Sequence, residues 1–377
     1  MRKILLFCLG LLAVCTWFPN TGEAAEERVL LVYDSLNLAD SGEKNIDSLQ
    51  RLLTSMGVKV DTVQDKDYLD NMLRDDVYTA VISFSNWTEK GIQSESFKKD
   101  RQAFSGSKLH IGMNVDADEE KLFNGEFRQL SHRQYTLIQQ QDFYEQQLDY
   151  LDQSLILDTS EGAIFGTLMT QELETKEYPF GVVQGKNAFL PMYSQSGAIF
   201  LQSTELIQQW LGKTNTYEPL LTFKSFSPLN DMKIAEDFVT EINRRAVYYV
   251  LSSTSTYQNN DLIVYNVFTN ILDKAQESGL IFLSVPAVNS ANTNDGRILN
   301  TIMEETISLL VSNSLYPVGI SAPGYWNQDT QYRTDGLTYG KTIILEENPS
   351  TENIHYRVED DRAAIYDTAS IHWMPLT

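Results

Sequence analysis

The sequence has little cysteine and little histidine, and both shortages narrow the chemistry that the chain can perform. Its two cysteines are Cys8 and Cys15, which lie close together near the N-terminus. A chain cleaved after them would hold no thiol nucleophile, disulfide or thiolate-bound metal. The four histidines are scattered along the chain: His110, His132, His355 and His372. We therefore expect structural or exposed histidines and no metal cofactor.

Long apolar runs are also lacking. Arg2 and Lys3 precede an apolar stretch over residues 4–14, and small residues lead up to Ala24. This order is typical of a secretory signal cleaved after Ala24, whereas a membrane span needs roughly 20 apolar residues. We expect residues 1–24 to be a signal peptide, the product to be extracellular or cell-envelope associated, and the mature chain to have no integral membrane span. A retained anchor is the alternative, and lipidation at Cys15 is disfavoured because a valine precedes it.

Positive charge is scarce. The chain of 377 residues has 29 Lys and Arg against 51 Asp and Glu, a net charge of −22. Such a charge repels the phosphates of nucleic acids and of anionic lipids, so we expect neither as a partner. The length allows two or three domains with cores of their own.

The first part of the chain, residues 25–115, alternates apolar runs with amphipathic stretches. The pattern predicts strands at 29–33, 58–63, 78–84 and 109–115, and a helix over 46–56. This alternation predicts a three-layer, flavodoxin-like α/β domain with a parallel sheet.

Ligands of such sheets bind where the strands end, which directs attention to three residues. Asp34 and Ser35 follow the first predicted strand, and Asn86 follows the third. No G-x-G-x-x-G motif follows the first strand, so a phosphate-binding loop is not indicated. We favour a structural role for these residues.

Two further segments complete the predicted organisation. Residues 116–215 change to a period of two, which predicts a small β-rich module with its last strand at 197–202 and a short helix at 205–210. Residues 216–377 alternate again, with helices over 232–246, 264–278 and 297–312. This repetition favours a β/α barrel or a partial one.

Three motifs of the C-terminal segment occur in a recognisable order. They are KSFSP at 224–228 with Asp231 nearby, GLIFLSVPAV at 279–288, and LYPVGISAPGY at 315–325. Together they resemble the uncharacterised polysaccharide deacetylase-like family associated with bacterial exopolysaccharide synthesis. The resemblance covers about 110 residues and implies a deacetylase-like β/α domain in the C-terminal segment.

Active members of that family bind a divalent metal through an acidic pair, a His-x-x-x-His motif and a later histidine-containing element. The resemblance implies that this chain is a degenerate member, because none of the matching positions carries such a ligand: Lys224, Ser225, Ser284, Val288, Ser321 and Gly324. Lysine, serine and valine do not replace carboxylate and imidazole ligands of a catalytic metal. We expect neither a bound metal nor deacetylase catalysis here.

An aromatic cluster is the candidate for contact with a glycan, because aromatic rings stack on the apolar faces of sugars. It consists of Tyr325, Trp326 and Tyr332. The resemblance, with its missing ligands, implies a non-catalytic accessory protein in exopolysaccharide assembly or export, with a polysaccharide or an envelope synthase component as partner. Two alternatives stay open: a carbohydrate-active hydrolase with an unrecognised carboxylate site, and an envelope scaffold or adhesion protein. The adjacent acidic pairs at 346–347 and 360–361 do not favour the hydrolase, because adjacent residues of a strand point to opposite faces.

Overall fold

The computed structural model describes residues 27–36, 42–139, 144–170, 175–213, 221–254, 256, 259–286, 297–322, 335–336, 338–340, 342–345, 355–356 and 364–367. The predicted signal peptide lies outside these ranges. The described residues form two large sheets and one two-stranded sheet, with helices between the strands.

The larger sheet has ten strands, and most of the predicted strands of the first two segments belong to it. They are β1 (Arg28–Tyr33), β2 (Lys59–Gln64), β3 (Ala80–Ser85), β4 (Ser107–Gly112), β6 (Tyr135–Gln139), β7 (Tyr144–Gln147), β9 (Ala163–Thr170), β10 (Glu177–Gln184), β11 (Asn187–Leu190) and β17 (His355–Tyr356). Their order is β17-β2-β1-β3-β4-β11-β10-β9-β6-β7. The strands β5 (Glu126–Arg133) and β8 (Leu151–Asp158) pair separately.

This sheet is mixed. The run β2-β1-β3-β4-β11 is parallel, and the remaining neighbours pair antiparallel. The predicted parallel sheet is therefore one part of a larger mixed sheet. The physical cause is the pairing of β11 with β4, which attaches the hairpins of the β-rich segment to the α/β segment. The division of this part of the chain into domains stays a prediction.

Helices cover both faces of the larger sheet: α1 (Gly42–Ser55), α2 (Glu95–Ala103), α3 (Ala117–Glu120) and α4 (Gly197–Trp210). Successive side chains of β1 point to opposite faces of the sheet, so alternate residues pack in different cores. Val29 and Leu31 pack in one core with Leu49 of α1, whereas Leu30 packs in another with Phe97 of α2. A strand that is buried on both faces has a continuous apolar sequence. This apolar run is the pattern that predicts β1.

One predicted strand is wrong. Residues 197–202 form the first turns of α4, because the apolar run that begins at Ala198 fits either structure when taken alone. The helix lies close on the sheet: a Cβ added to Gly181 of β10 would stand 2.5 Å from Cδ1 of Leu206. Packing against the sheet therefore stabilises the helix, whereas the local sequence alone fits either a helix or a strand.

The second large sheet has six strands: β12 (Leu221–Phe226), β13 (Tyr249–Thr254), β14 (Leu280–Ser284), β15 (Gly319–Ala322), β16 (Thr342–Leu345) and β18 (Ala364–Asp367). They lie in this order and all pair in parallel. The connecting helices are α5 (Met232–Arg244), α6 (Ile263–Gln276) and α7 (Arg297–Ser312). The predicted alternation of this segment is therefore confirmed.

The three helices lie on one face of the six-stranded sheet. Leu251, Leu283 and Ile320 share a core with residues of all three helices, while Val250 and Phe282 form a separate cluster on the other face. Strands in sequence order with right-handed crossovers place their helices on the same side. Among the described strands β12 and β18 do not pair with each other, so a closed barrel is not confirmed.

Candidate functional site

The described positions that the deacetylase resemblance singled out lie on β12, β14 and β15 of the six-stranded sheet. Ser284 and Ser321 are paired neighbours in β14 and β15, and Thr254 of β13 continues the row. Laterally paired residues of a sheet point to the same face. Because Phe282 lies two residues before Ser284 in the same strand, this hydroxyl row points to the face that the helices do not cover.

On this face a hydrogen bond joins the hydroxyl groups of Ser252 and Ser321. Ser252 Oγ and Ser321 Oγ lie 2.5 Å apart, and neither residue is exposed to solvent. Each serine satisfies the other, so the position where the resemblance implies a metal-binding element holds a packed, uncharged pair.

Lys224 and Ser225 lie elsewhere, near the end of β12. The register of β12 shifts between Phe223 and Phe226, and Ser225 adopts a φ of 58° in this irregular stretch. Both residues are exposed. With strands about 4.8 Å apart, roughly 10 Å separates β12 from β14. Ser225 and Ser284 therefore lie on strands that are separated by β13.

The acidic residue of the first motif has a structural partner. The carboxylate of Asp231 accepts hydrogen bonds from the backbone N–H groups of Lys233 at 3.0 Å and Ile234 at 3.2 Å. It is the N-cap of α5, which is a frequent role of aspartate at a helix start. Lys224 and Asp231 also line a mostly apolar cavity of about 350 Å³ beside α5.

Several candidate residues lie outside the described ranges. These are the degenerate positions Val288 and Gly324 and the aromatic cluster of Tyr325, Trp326 and Tyr332. Their assignments stay predictions.

The strand-end residues of the larger sheet do come together. The Asp34 carboxylate accepts hydrogen bonds from the backbone N–H groups of Ser35, Asn86 and Trp87 at 2.6, 2.8 and 2.9 Å. The Asn86 side chain donates to the Ser35 carbonyl at 2.9 Å. β1 and β3 are the neighbours at which the strand order reverses direction, the position where α/β sheets of this type bind ligands.

These contacts use the carboxylate to join the ends of two strands. Burial raises the pKa of Asp34 above its usual value, and the three backbone hydrogen bonds offset part of that effect. Asn114 continues the same pattern, since its side-chain amide donates to the carbonyls of Trp87 and Thr88 at 3.1 and 3.0 Å. The arrangement agrees with the structural role expected from the sequence.

A buried ion network that the sequence did not indicate lies on the α2 and α3 side of the larger sheet. Arg101 is 2% exposed, and its Nη1 lies 3.0 Å from Oε1 of Glu119. Its Nη2 lies 3.0 Å from the carboxylate of Asp116. His110 of β4 contacts Glu119 through Nδ1 at 3.1 Å and the Met113 carbonyl through Nε2 at 3.0 Å.

The network changes the ionisation of its central carboxyl group. Burial alone would raise the pKa of Glu119, but the charge and hydrogen bond of His110 and the charge of Arg101 outweigh it and lower the pKa to about 2. Charged groups enclosed together, with a strongly shifted pKa beside a cavity, are a physical signature of functional sites.

One local sequence signal points to part of this network. Asp116 and Glu119 have the spacing of a capping box, and the structure contains one at the start of α3. The sequence gives no such local signal for Arg101 and His110. Their contact with Glu119 depends on how the helices pack on the sheet.

Three findings bear on the class of protein. In the ranges that the structure covers, no group of three or more His, Cys, Asp and Glu side chains is placed to hold a metal ion. None of the helices found there has the length and apolarity that crossing a membrane would need. The chain matches no protein family model and no curated protein at a significant level. Fold and sites together define a mixed α/β protein with one large mixed sheet and one parallel sheet.

Proposed function

We propose that the chain is a non-catalytic, deacetylase-like accessory protein of the cell envelope, acting in exopolysaccharide assembly or export. The proposal includes export through cleavage of residues 1–24 and contact with a polysaccharide or a synthase component. The aromatic cluster of Tyr325, Trp326 and Tyr332 is its candidate glycan contact.

The observation that carries the non-catalytic part is the hydrogen bond between Ser252 and Ser321. A hydrolytic metal site needs several imidazole or carboxylate ligands and an open coordination position for water. The corresponding face instead presents serine and threonine hydroxyls, and its central pair is fully buried.

The arrangement of the six strands in sequence order supports the deacetylase-like part. Parallel strands in sequence order, with α5, α6 and α7 on one face, are the arrangement of a partial β/α barrel. We therefore propose that this sheet is a partial deacetylase-like barrel.

An acetate-release assay tests the absence of catalysis. The purified mature chain is incubated with N-acetylated oligosaccharides, with and without added zinc, beside an active deacetylase. We expect no acetate from the chain under either condition. Zinc-dependent release of acetate would overturn the non-catalytic assignment.

A second experiment tests the accessory role. Deletion of the gene in a polysaccharide-producing strain should reduce exported polymer, and both the wild-type chain and the Ser252→Ala/Ser321→Ala variant should restore it. Unchanged polymer after deletion would exclude the proposed role and favour a scaffold or adhesion protein unrelated to sugar.

A further inference from the structure

We propose that the surface beside α5 is the interface of a homodimer, in which Leu229 of each copy inserts into an apolar cavity of the other copy. The cavity measures about 350 Å³ and lies between β12 and α5. Because β12 is the outermost strand of the six-stranded sheet, this cavity lies at the edge of the sheet. The inference does not depend on the proposed accessory role.

The inserting side chain is held on an ordered turn. Leu229 is 95% exposed, more than any other large apolar residue that the structure describes. The backbone N–H of Asn230 donates to the Ser227 carbonyl at 3.1 Å, and the backbone N–H of Ser227 donates to Asn230 Oδ1 at 2.7 Å. Pro228 occupies the second position of this turn, where proline is favoured. A leucine presented in this way loses little conformational freedom when a partner buries it.

The cavity follows this turn directly and its apolar lining is accessible. Asn230 lines it, together with Ile234 and Phe238 of α5, which are 67% and 38% exposed. Glu236 pairs with Lys274 of α6, whereas Ile234 and Phe238 lie one turn apart on the other side of α5. A side chain that arrives from solvent can therefore contact the apolar lining.

A side chain and a cavity that belong to one short segment suit a symmetric pair. In a dimer with two-fold symmetry the same patch of both copies meets, so that each copy contributes every contact once. Leu229 does not fill its own cavity, as its exposure shows, but it adjoins Asn230 of the cavity lining. One two-fold axis can therefore insert both leucines at once. Each insertion removes an exposed leucine from water and fills apolar space, which favours association.

The charge of this segment permits contact between two acidic chains. Residues 221–245 carry four lysines and arginines against four aspartates and glutamates, so the segment is neutral in a chain of net charge −22. The cavity lining carries one charge of each sign, Lys224 and Asp231. Two copies that meet at this segment can bring opposite charges together, although the chains as a whole repel each other.

Sedimentation velocity of the purified mature chain over a concentration series tests the proposal. We expect a dimer with a dissociation constant on the order of micromolar. Leu229→Ser should weaken dimerisation about a hundredfold, because each dimer loses the burial of two leucines. Leu69→Ser is the matched control: Leu69 is 72% exposed and lies in the segment of the larger sheet, so its change should leave dimerisation as it is.

A mixing experiment tests the reciprocal insertion. Ala235 of α5 lines the cavity, and Ala235→Phe should fill it and weaken dimerisation. An equimolar mixture of the Leu229→Ser and Ala235→Phe chains should associate more strongly than either chain alone. The reason is that the mixed pair keeps one intact leucine and one intact cavity, which face each other.

Each outcome decides the proposal. A wild-type chain that stays monomeric up to about 1 mM would overturn it, and so would a dimer that Leu229→Ser weakens no more than Leu69→Ser does. A mixture that associates no better than its components would overturn the reciprocal insertion. Thermal melting shows whether each variant is folded. If Ala235→Phe is not, Ile234→Asp takes its place, because it puts a charge at an exposed position of the lining.

Discussion

His110 Nδ1 lies 3.1 Å from both carboxylate oxygens of Glu119, and both residues are 4% exposed. The ring and the carboxylate come from different elements, β4 and α3. Arg101 contacts the same carboxylate from α2. One acidic side chain therefore connects three successive elements of the chain, α2, β4 and α3.

Glu119→Gln should destabilise the protein strongly. The change keeps the size of the side chain but leaves Arg101 and His110 with one fewer buried counter-charge. Removing one partner of a buried ion pair costs about 3 kcal/mol or more. Urea denaturation of the variant and the wild type measures the difference in the free energy of unfolding.

Glu120→Gln is the matched control, because Glu120 is the exposed neighbour in the same helix. Its effect should stay within about 0.5 kcal/mol. Equal effects of the two variants would show that the buried network does not contribute as described.

Acid should weaken the contribution of Glu119. The pKa in the folded protein is about 2, below the ordinary value of 4.5. A group with a depressed folded pKa stabilises the protein above its unfolded pKa, and this contribution is lost as the pH falls from 4.5 towards 2. The difference in unfolding free energy between the wild type and Glu119→Gln should shrink over this window. A difference independent of pH would contradict the low pKa.

Local periodicity predicts most helices and parallel strands of this chain. The helix Arg297–Ser312 has the predicted bounds, and Met232–Arg244 ends two residues early. Both carry an apolar stripe that packs on one sheet face. Residues 197–202 were assigned wrongly because a short apolar run does not distinguish a buried helix from a strand. The pairing of β11 with β4 joins distant residues and leaves no local signal.

The candidate sites also differ in how far the sequence alone predicts them. Asp34 and Asn86 could be predicted as neighbours, because both follow parallel strands whose ends meet at one edge of the sheet. Arg101, His110 and Glu119 could not, because their contact depends on how α2 and α3 pack on β4. Ser225 and Ser284 are grouped by the resemblance alone, and β13 lies between their strands.

Asp34→Ala should destabilise the larger sheet. The change removes the acceptor of three backbone N–H groups that join the ends of β1 and β3. We expect a loss of about 2 kcal/mol, since unsatisfied donors cost more than the net value of a hydrogen bond. Asp76→Ala is the control: its side chain is 75% exposed and pairs with Arg74 at 3.5 Å. A loss no larger than that of the control would contradict the joining role.

Ser252→Ala and Ser321→Ala should show strong coupling. Each single change leaves the other hydroxyl buried without its partner, at a cost of about 1 to 2 kcal/mol. The double variant removes both polar groups, so its loss should not exceed that of the worse single variant. Ser312→Ala is the control, because Ser312 is an exposed serine that donates to a helix carbonyl. Denaturant unfolding of the four variants and the wild type gives the interaction energy. Additive losses would mean that the two hydroxyls act independently, and the interpretation of this face as a closed, mutually satisfied pair would then be wrong.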